Sequence, residues 1–197
     1  GFAWMAKRES WPLDEATSFD HLLVLDDVDF CGGTGTGPDP FRICRIADLA
    51  ELDAKLSDPI SYAAYASAYY VQTNDLDFGG QARGFLPLGS NDLPLTNRHD
   101  LFSVLFVVPS ARPFLGTYDG NGKHLANLAF ESSGAADFQG LFTMLGASAV
   151  VKDLVFDAPS FNLADTVVAG TVAGYSSGRV DGIVINNLAA DLGQGRG

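Results

Sequence analysis

Residues 123–130, 149–156 and 178–185 read "KHLANLAF", "AVVKDLVF" and "GRVDGIVI". Leu128, Leu154 and Ile183 take one position, and Phe130, Phe156 and Ile185 the position two later, at spacings of 26 and 29 residues. A second register runs between them: "QGLFTML" (139–145) matches "AGTVAGY" (169–175), with Gly140 and Gly170 thirty residues apart. Apolar residues at i and i+2 share one side of a strand. Units of this length cannot bury their own apolar face, so they stack. Because the units carry short β patterns and no long helical one, the expectation is a β-solenoid rather than an α-solenoid, with a β-sandwich as the competing all-β answer. Leu128, Phe130, Leu141, Phe142, Leu154, Phe156, Ile183 and Ile185 are the predicted core stack.

The units are joined by turns, and 22 glycines and 9 prolines in 197 residues provide them. The sharpest is Asp119-Gly120-Asn121-Gly122, built of residue types that tolerate positive φ and form Asx turns. A calcium loop would continue with an acidic or amide ligand and close on a glutamate. Here Lys123 follows, and no glutamate closes the loop. A phosphate loop would end Gly-Lys-Ser/Thr, but Lys123 precedes His124. The stretch therefore reads as a corner between strands, with Gly120→Val expected to break it if Gly120 has positive φ.

Upstream, Ile46, Leu49, Leu52 and Leu56 fall near helical spacing, which predicts a helix over 47–56. Its narrow apolar stripe suits a helix laid across the first repeat, covering an edge that would otherwise invite association. "SAYYVQTNDLDFGG" is rich in β-formers, whereas "FLPLGS" and "NDLPLTNRHD" read as loops. Cys31 and Cys44 flank a loop dense in glycine and proline, and a disulfide between them is expected to contribute about 3 kcal/mol in the chain-entropy model. Two free thiols are the alternative. Two cysteines without partnered histidines do not fill a zinc shell.

The order of these motifs resembles the GLUG-motif repeats of bacterial surface proteins, found in adhesin-like and IgA-peptidase-type chains. The stretch "FLGTYDGNGKHLANLAF…FQGLFTMLGASAVVKDLVF…VVAGTVAGYSSGRVDGIVINNL" resembles the repeats themselves, and "GGTGTGPDPFRICRIADLAEL" resembles their lead-in. "VQTNDLDFGG" and "FLPLGS" are similar to the segments that follow it, so the resemblance spans about 31–188. It implies a right-handed parallel β-helix with a short N-terminal capping helix, on a cell-surface or secreted protein with a binding or spacing role. On this reading residues 1–30 are an extension or linker and 31–197 the capped solenoid.

Residues 91–112 depart from the pattern and read as an insertion. Insertions in solenoids map to loops on one face, often the binding face. Its apolar run, including Leu101, Phe102, Leu105 and Phe106, is the candidate partner-binding element; a further core strand is the alternative. The C-terminal "NNLAADLGQGRG" offers no comparable cap, so flanking domains of a longer parent chain are expected, and Gly1, no initiator methionine, suggests a processed N-terminus.

Charge narrows the function further. A net charge of −12 repels phosphate backbones and disfavours nucleic acid. It fits solubility on an exported or salt-adapted protein, and it leaves calcium open as a cofactor, although no loop has a diagnostic ligand spacing. No apolar run reaches the ~18–20 residues of a membrane span. A disulfide would place the chain in an oxidising, extracellular compartment. His21, His99 and His124 are scattered and none sits in His-Glu-x-x-His. Gly-x-Ser-x-Gly and P-loop patterns are absent. The expectation is a non-catalytic structural or adhesive segment with a cell-surface or glycan ligand. The alternatives are a β-helix enzyme of polysaccharide-lyase type, using Asp75, Asp77 and Asp119 with Lys123 and Lys152, and a calcium-dependent carbohydrate-binding module.

Overall fold

The structure, a computed structural model, describes residues 30–80, 86–89, 112–132, 138–163 and 168–191. Among these residues the chain is all-β with two short helices, and every strand pairing is parallel. A first sheet orders β1 (Phe41–Ile43), β2 (Tyr69–Gln72), β4 (Thr117–Asp119), β9 (Val150–Lys152) and β14 (Arg179–Asp181). A second orders β3 (Leu76–Asp77), β5 (His124–Ala126), β10 (Val155–Asp157) and β15 (Val184–Asn186). The third holds β6 (Ala129–Ser132), β11 (Ser160–Leu163) and β16 (Ala189–Asp191). Two pairs complete the set: β7 (Phe138–Gln139) with β12 (Val168–Ala169), and β8 (Phe142–Leu145) with β13 (Ala173–Ser176). Each repeat thus feeds the same ladders in the same order.

Register makes columns of like side chains. In the first sheet Tyr70, Tyr118, Val151 and Val180 are partners; in the second, Leu76, Leu125, Phe156 and Ile185; in the third, Phe130, Phe161 and Ala190. Apart from Leu76, the first of the two residues of β3, each is the second residue of its strand, so strand alternation sets each column on one face. Phe130 stacks on Phe161 at 4.6 Å and Phe114 on Phe142 at 4.8 Å between ring centroids.

Two expectations need correction. The 29-residue step holds, since Phe156 pairs with Ile185. The 26-residue step does not: Phe156 pairs with Leu125, and Phe130 pairs with Phe161. Four residues, 120–123, join β4 to β5, whereas two join β9 to β10 and two join β14 to β15. The motif "NLAF" (127–130) turns the chain into β6 of the third sheet and "DLVF" (153–156) into β10 of the second, so the first imitates the second without being its equivalent. The predicted core residues Leu128, Phe130, Leu141, Phe142, Leu154 and Phe156 are buried, but Ile183 is half-buried and Ile185 is 44% exposed. Ile185 belongs to the last described repeat, where no described strand lies beyond β15.

The predicted helix is α1 (Ile46–Ser57), with Leu49, Leu52 and Leu56 fully buried in the same apolar cluster as Tyr70 and Tyr118. Its first turn is held by Asp48, whose carboxylate accepts from the Cys44 and Arg45 amides at 2.8 and 2.9 Å and from the Arg45 guanidinium at 2.7 Å. Asp58 follows the last turn, and its carboxylate accepts from the Ser61 amide and hydroxyl. Beyond it lies a five-residue helix, α2 (Tyr62–Ala66), that the sequence reading missed. Tyr65 of α2 stacks on Phe41 at 5.6 Å.

Candidate functional site

Around Asp119-Gly120-Asn121-Gly122 the backbone is committed to the next repeat. Gly120 N–H donates to Lys152 C=O and Gly122 N–H to Asp153 C=O, both at 2.7 Å. Asp119 Oδ1 accepts the Asn121 amide at 2.8 Å, an Asx turn. Left-handed φ falls at Asn121 (52°) and Gly122 (67°), not at Gly120. The position two residues before the strand has the same sign at β5, β10 and β15: Gly122, Asp153 (52°) and Gly182 (61°). Gly120 is glycine for another reason. A Cβ there would stand 2.5 Å from Asp153 O and 2.6 Å from Leu154 Cα.

The outer face beside this corner is a ladder of paired charges. Lys152 Nζ lies 2.5 Å from Asp119 and 3.2 Å from Asp153, and Asp119, Lys152 and Asp181 are register partners. Those carboxylates hold the Lys152 ammonium above its usual range, the Asp119 hydrogen bond first. Asp119, Asp75 and Asp77 do not converge on one point. Asp75 accepts the His124 amide at 2.9 Å, while Asp77 accepts from Asn127 and Gly79, which lowers its carboxyl.

Across the second sheet, His124 Nδ1 hydrogen-bonds Asp157 Oδ2, and Asp157 Oδ1 accepts Asn186 Nδ2 at 2.7 Å. The contact raises the His124 imidazole and lowers the Asp157 carboxyl, each by the shared hydrogen bond first. Sequence reasoning singled out neither Asp157 nor Asn186. Their 29-residue separation is the repeat step already legible in the sequence, and applying that step to polar positions would have paired them. Beneath this face, Tyr118 hydroxyl donates to Gln72 Oε1 at 3.1 Å, and Gln72 Nε2 donates to the carbonyls of Asn74 and His124. Burial pushes the Tyr118 phenol up. These groups tie β2, β4 and β5 together.

Cys31 and Cys44 form a disulfide with a Cα–Cα distance of 6.0 Å. Among the described residues one trio of metal-ligating types converges, Cys31, Cys44 and Asp48, within 4.8 Å. Both sulfurs are in the bridge, and Asp48 already accepts two amides and a guanidinium.

The chain leaves and rejoins one ladder around the predicted insertion. Leu88 bridges Phe142 and Phe114 bridges Leu145, so both segments pair with β8. Leu88 and Phe114, on either side of 89–113 in sequence, thus meet the same ladder at its two ends. The roots of 89–113 are tied to the helices. Gly89 N–H donates to Asp53 at 2.9 Å, Arg112 to Ser57 C=O, and Tyr62 hydroxyl to Pro113 C=O at 2.7 Å. Burial raises the Asp53 carboxyl against the pull of the Gly89 bond. Leu101, Phe102, Leu105 and Phe106 lie outside the described residues, as do His21 and His99.

Over 158 residues, 80% of its length, the chain is 27% identical to Halomucin of Haloquadratum walsbyi, and it spans 2% of that protein's length. No family model matches the chain. No solved structure matches it either.

Proposed function

We propose that this chain is a structural or adhesive segment of an exported surface or secreted protein. In this reading it coils as a right-handed parallel β-helix of GLUG-type repeats, with α1 laid over its first turn, and has no catalysis of its own. The observation that carries the reading is the register: successive repeats feed the same parallel ladders, with apolar columns inside and mutually paired polar groups outside. Asp119, Lys152, His124 and Asp157 serve as links between repeats. The Cys31–Cys44 bridge and the likeness to Halomucin support an extracellular setting. Among the described residues no helix is long and apolar enough to cross a membrane.

Glycans and whole cells presented to the immobilised chain test the adhesive role, and solution scattering tests the shape. Retention of a glycan or cell surface by an elongated particle is expected. The second reading, a polysaccharide lyase, draws on the His124–Asp157 pair beside Lys123. Unsaturated product released from uronate polysaccharides by the wild type, and lost in His124→Gln, would replace the scaffold reading with it.

A further inference from the structure

Asn121 is the one asparagine of the 197-residue chain that a glycine follows. That dipeptide is chemically reactive. The backbone nitrogen of the next residue can attack the asparagine side-chain amide carbon, and glycine shields its own nitrogen least, having no Cβ and the widest range of φ and ψ. Gly122 N then bonds to Asn121 Cγ, its proton and the Nδ2 group leave together as ammonia, and a five-membered succinimide ring closes. Water opens the ring at either carbonyl. One product is aspartate. The other is isoaspartate, in which the main chain runs through the former side chain and is longer by a carbon. In the folded corner both reacting groups are engaged. Gly122 N–H donates to Asp153 C=O at 2.7 Å, forward into the next repeat. Asn121 Nδ2 donates to Gln72 C=O at 3.3 Å, back into the preceding one. Nucleophile and electrophile are thus tied to different neighbours, while Asn121 and Gly122 themselves are exposed to water.

We propose that Asn121-Gly122 is a site of spontaneous deamidation that the stacked repeats hold closed and that reacts when they part. A peptide N–H bonded in this way meets solvent base only when the structure opens locally, so the opening that exchanges the Gly122 amide proton also frees Gly122 N for attack. The product does not fit the corner again. Aspartate or isoaspartate at 121 has no amide to donate to Gln72 C=O, and it sets a carboxylate beside that of Asp119, which already accepts the backbone N–H of this residue. Isoaspartate also lengthens a corner whose Gly120 and Gly122 N–H groups reach carbonyls fixed on the next repeat. A chain that has reacted there is marked and destabilised, so the corner records past openings. This inference rests on the corner geometry, not on the adhesive role.

The test incubates the 197-residue chain at mildly alkaline pH, folded in buffer and unfolded in guanidinium chloride, and reads conversion at 121 by peptide mass spectrometry. Hydrogen exchange of the Gly122 amide measures how seldom the corner opens. In the unfolded chain Asn121 should convert at least about tenfold faster than any other asparagine, and Gly122→Ala should remove that lead. In the folded chain conversion should be slowed at least as much as the Gly122 amide is protected from exchange. Gly120→Ala wedges the repeats apart at this corner, so its conversion in buffer, relative to the same variant unfolded, should rise at least about tenfold above wild type as the open population grows. Conversion of the folded chain at the unfolded rate, a slowing smaller than the amide protection, an unfolded-state Asn121 no faster than the other asparagines, or a Gly120→Ala chain that keeps Asn121 as long as wild type would each overturn the proposal.

Discussion

Gly120 and Gly122 sit two residues apart in one corner, and substitutions at them should fail for different physical reasons. In Gly120→Ala the new Cβ meets Asp153 O at 2.5 Å, Leu154 Cα at 2.6 Å and Leu154 Cβ at 2.7 Å. Carbon contacts rest near ~3.5–4.0 Å, so neighbouring repeats must part by about 1 Å at a place where backbone leaves no flexible atom to yield. The separation stretches the two 2.7 Å bonds from Gly120 and Gly122 into the next repeat. Overpacking at ~1–3 kcal/mol plus two weakened hydrogen bonds at ~0.5–1.5 kcal/mol each gives a loss of about 2–6 kcal/mol. Gly122 has open space around its Cβ direction but a φ of +67°. Gly122→Ala therefore costs only the left-handed conformation, about 1–2 kcal/mol. Gly122→Asn should recover part of that, since asparagine tolerates this region and Asp153 already holds the equivalent position at 52°. Gly120→Asn should be no milder than Gly120→Ala. Urea unfolding with a constant m-value gives all four numbers. A Gly120→Ala loss below ~0.5 kcal/mol would refute the steric argument, and equal losses for Gly122→Ala and Gly122→Asn would refute the conformational one.

Leu154 is fully buried, so Leu154→Ala should cost ~2–5 kcal/mol in the same urea assay; Ile185→Ala, in the equivalent of the Phe156 position but 44% exposed, should cost well under half of that. The His124–Asp157 contact gives a pH-dependent term. His124 is raised, so its contribution is complete below the unfolded imidazole pKa of ~6.5 and fades as pH rises through the folded value. Asp157 is lowered, so its contribution is complete above the unfolded carboxyl pKa of ~3.9 and fades as pH falls through the folded value. The wild type should exceed His124→Gln in urea midpoint most between those limits and match it in alkali; a constant difference across pH contradicts the ionic reading. Reduction of Cys31–Cys44 should lower stability by ~3 kcal/mol for a sequence separation of 13, read as the shift of the thermal or urea midpoint with and without reductant.

The helix over 47–56 was legible because four apolar residues at helical spacing need no tertiary information. The 29-residue step was legible because the second and third repeats turn with corners of equal length. The first repeat was misaligned because "NLAF", at the corner from the second sheet to the third, looks like "DLVF", at the corner from the first to the second, and only hydrogen bonding between repeats tells the two corners apart. Helix α2 escaped because Tyr and Ala in "YAAYA" carry no helical stripe; its place depends on ring contacts with Phe41 and Phe30. Leu88 was read as loop since a single residue pairing with β8 has no pattern of its own. The outer ladder of His124, Asp157 and Asn186 is set by partners one repeat away, so its residues look like scattered polar positions until the register is known. Ile185 has the sequence of a core residue, and its exposure follows from what lies beside it in space.

Whether residues one repeat apart are neighbours on adjacent parallel strands can be measured directly. Nitroxide labels at Val155 and Val184, register partners on β10 and β15, with the Cys31–Cys44 bridge left oxidised, would report it by electron paramagnetic resonance. Adjacent strands lie ~4.8 Å apart, so the account predicts strong dipolar broadening for this pair, and again for labels at His124 and Val155. Sharp, unbroadened spectra from both pairs would contradict the stacked parallel repeats.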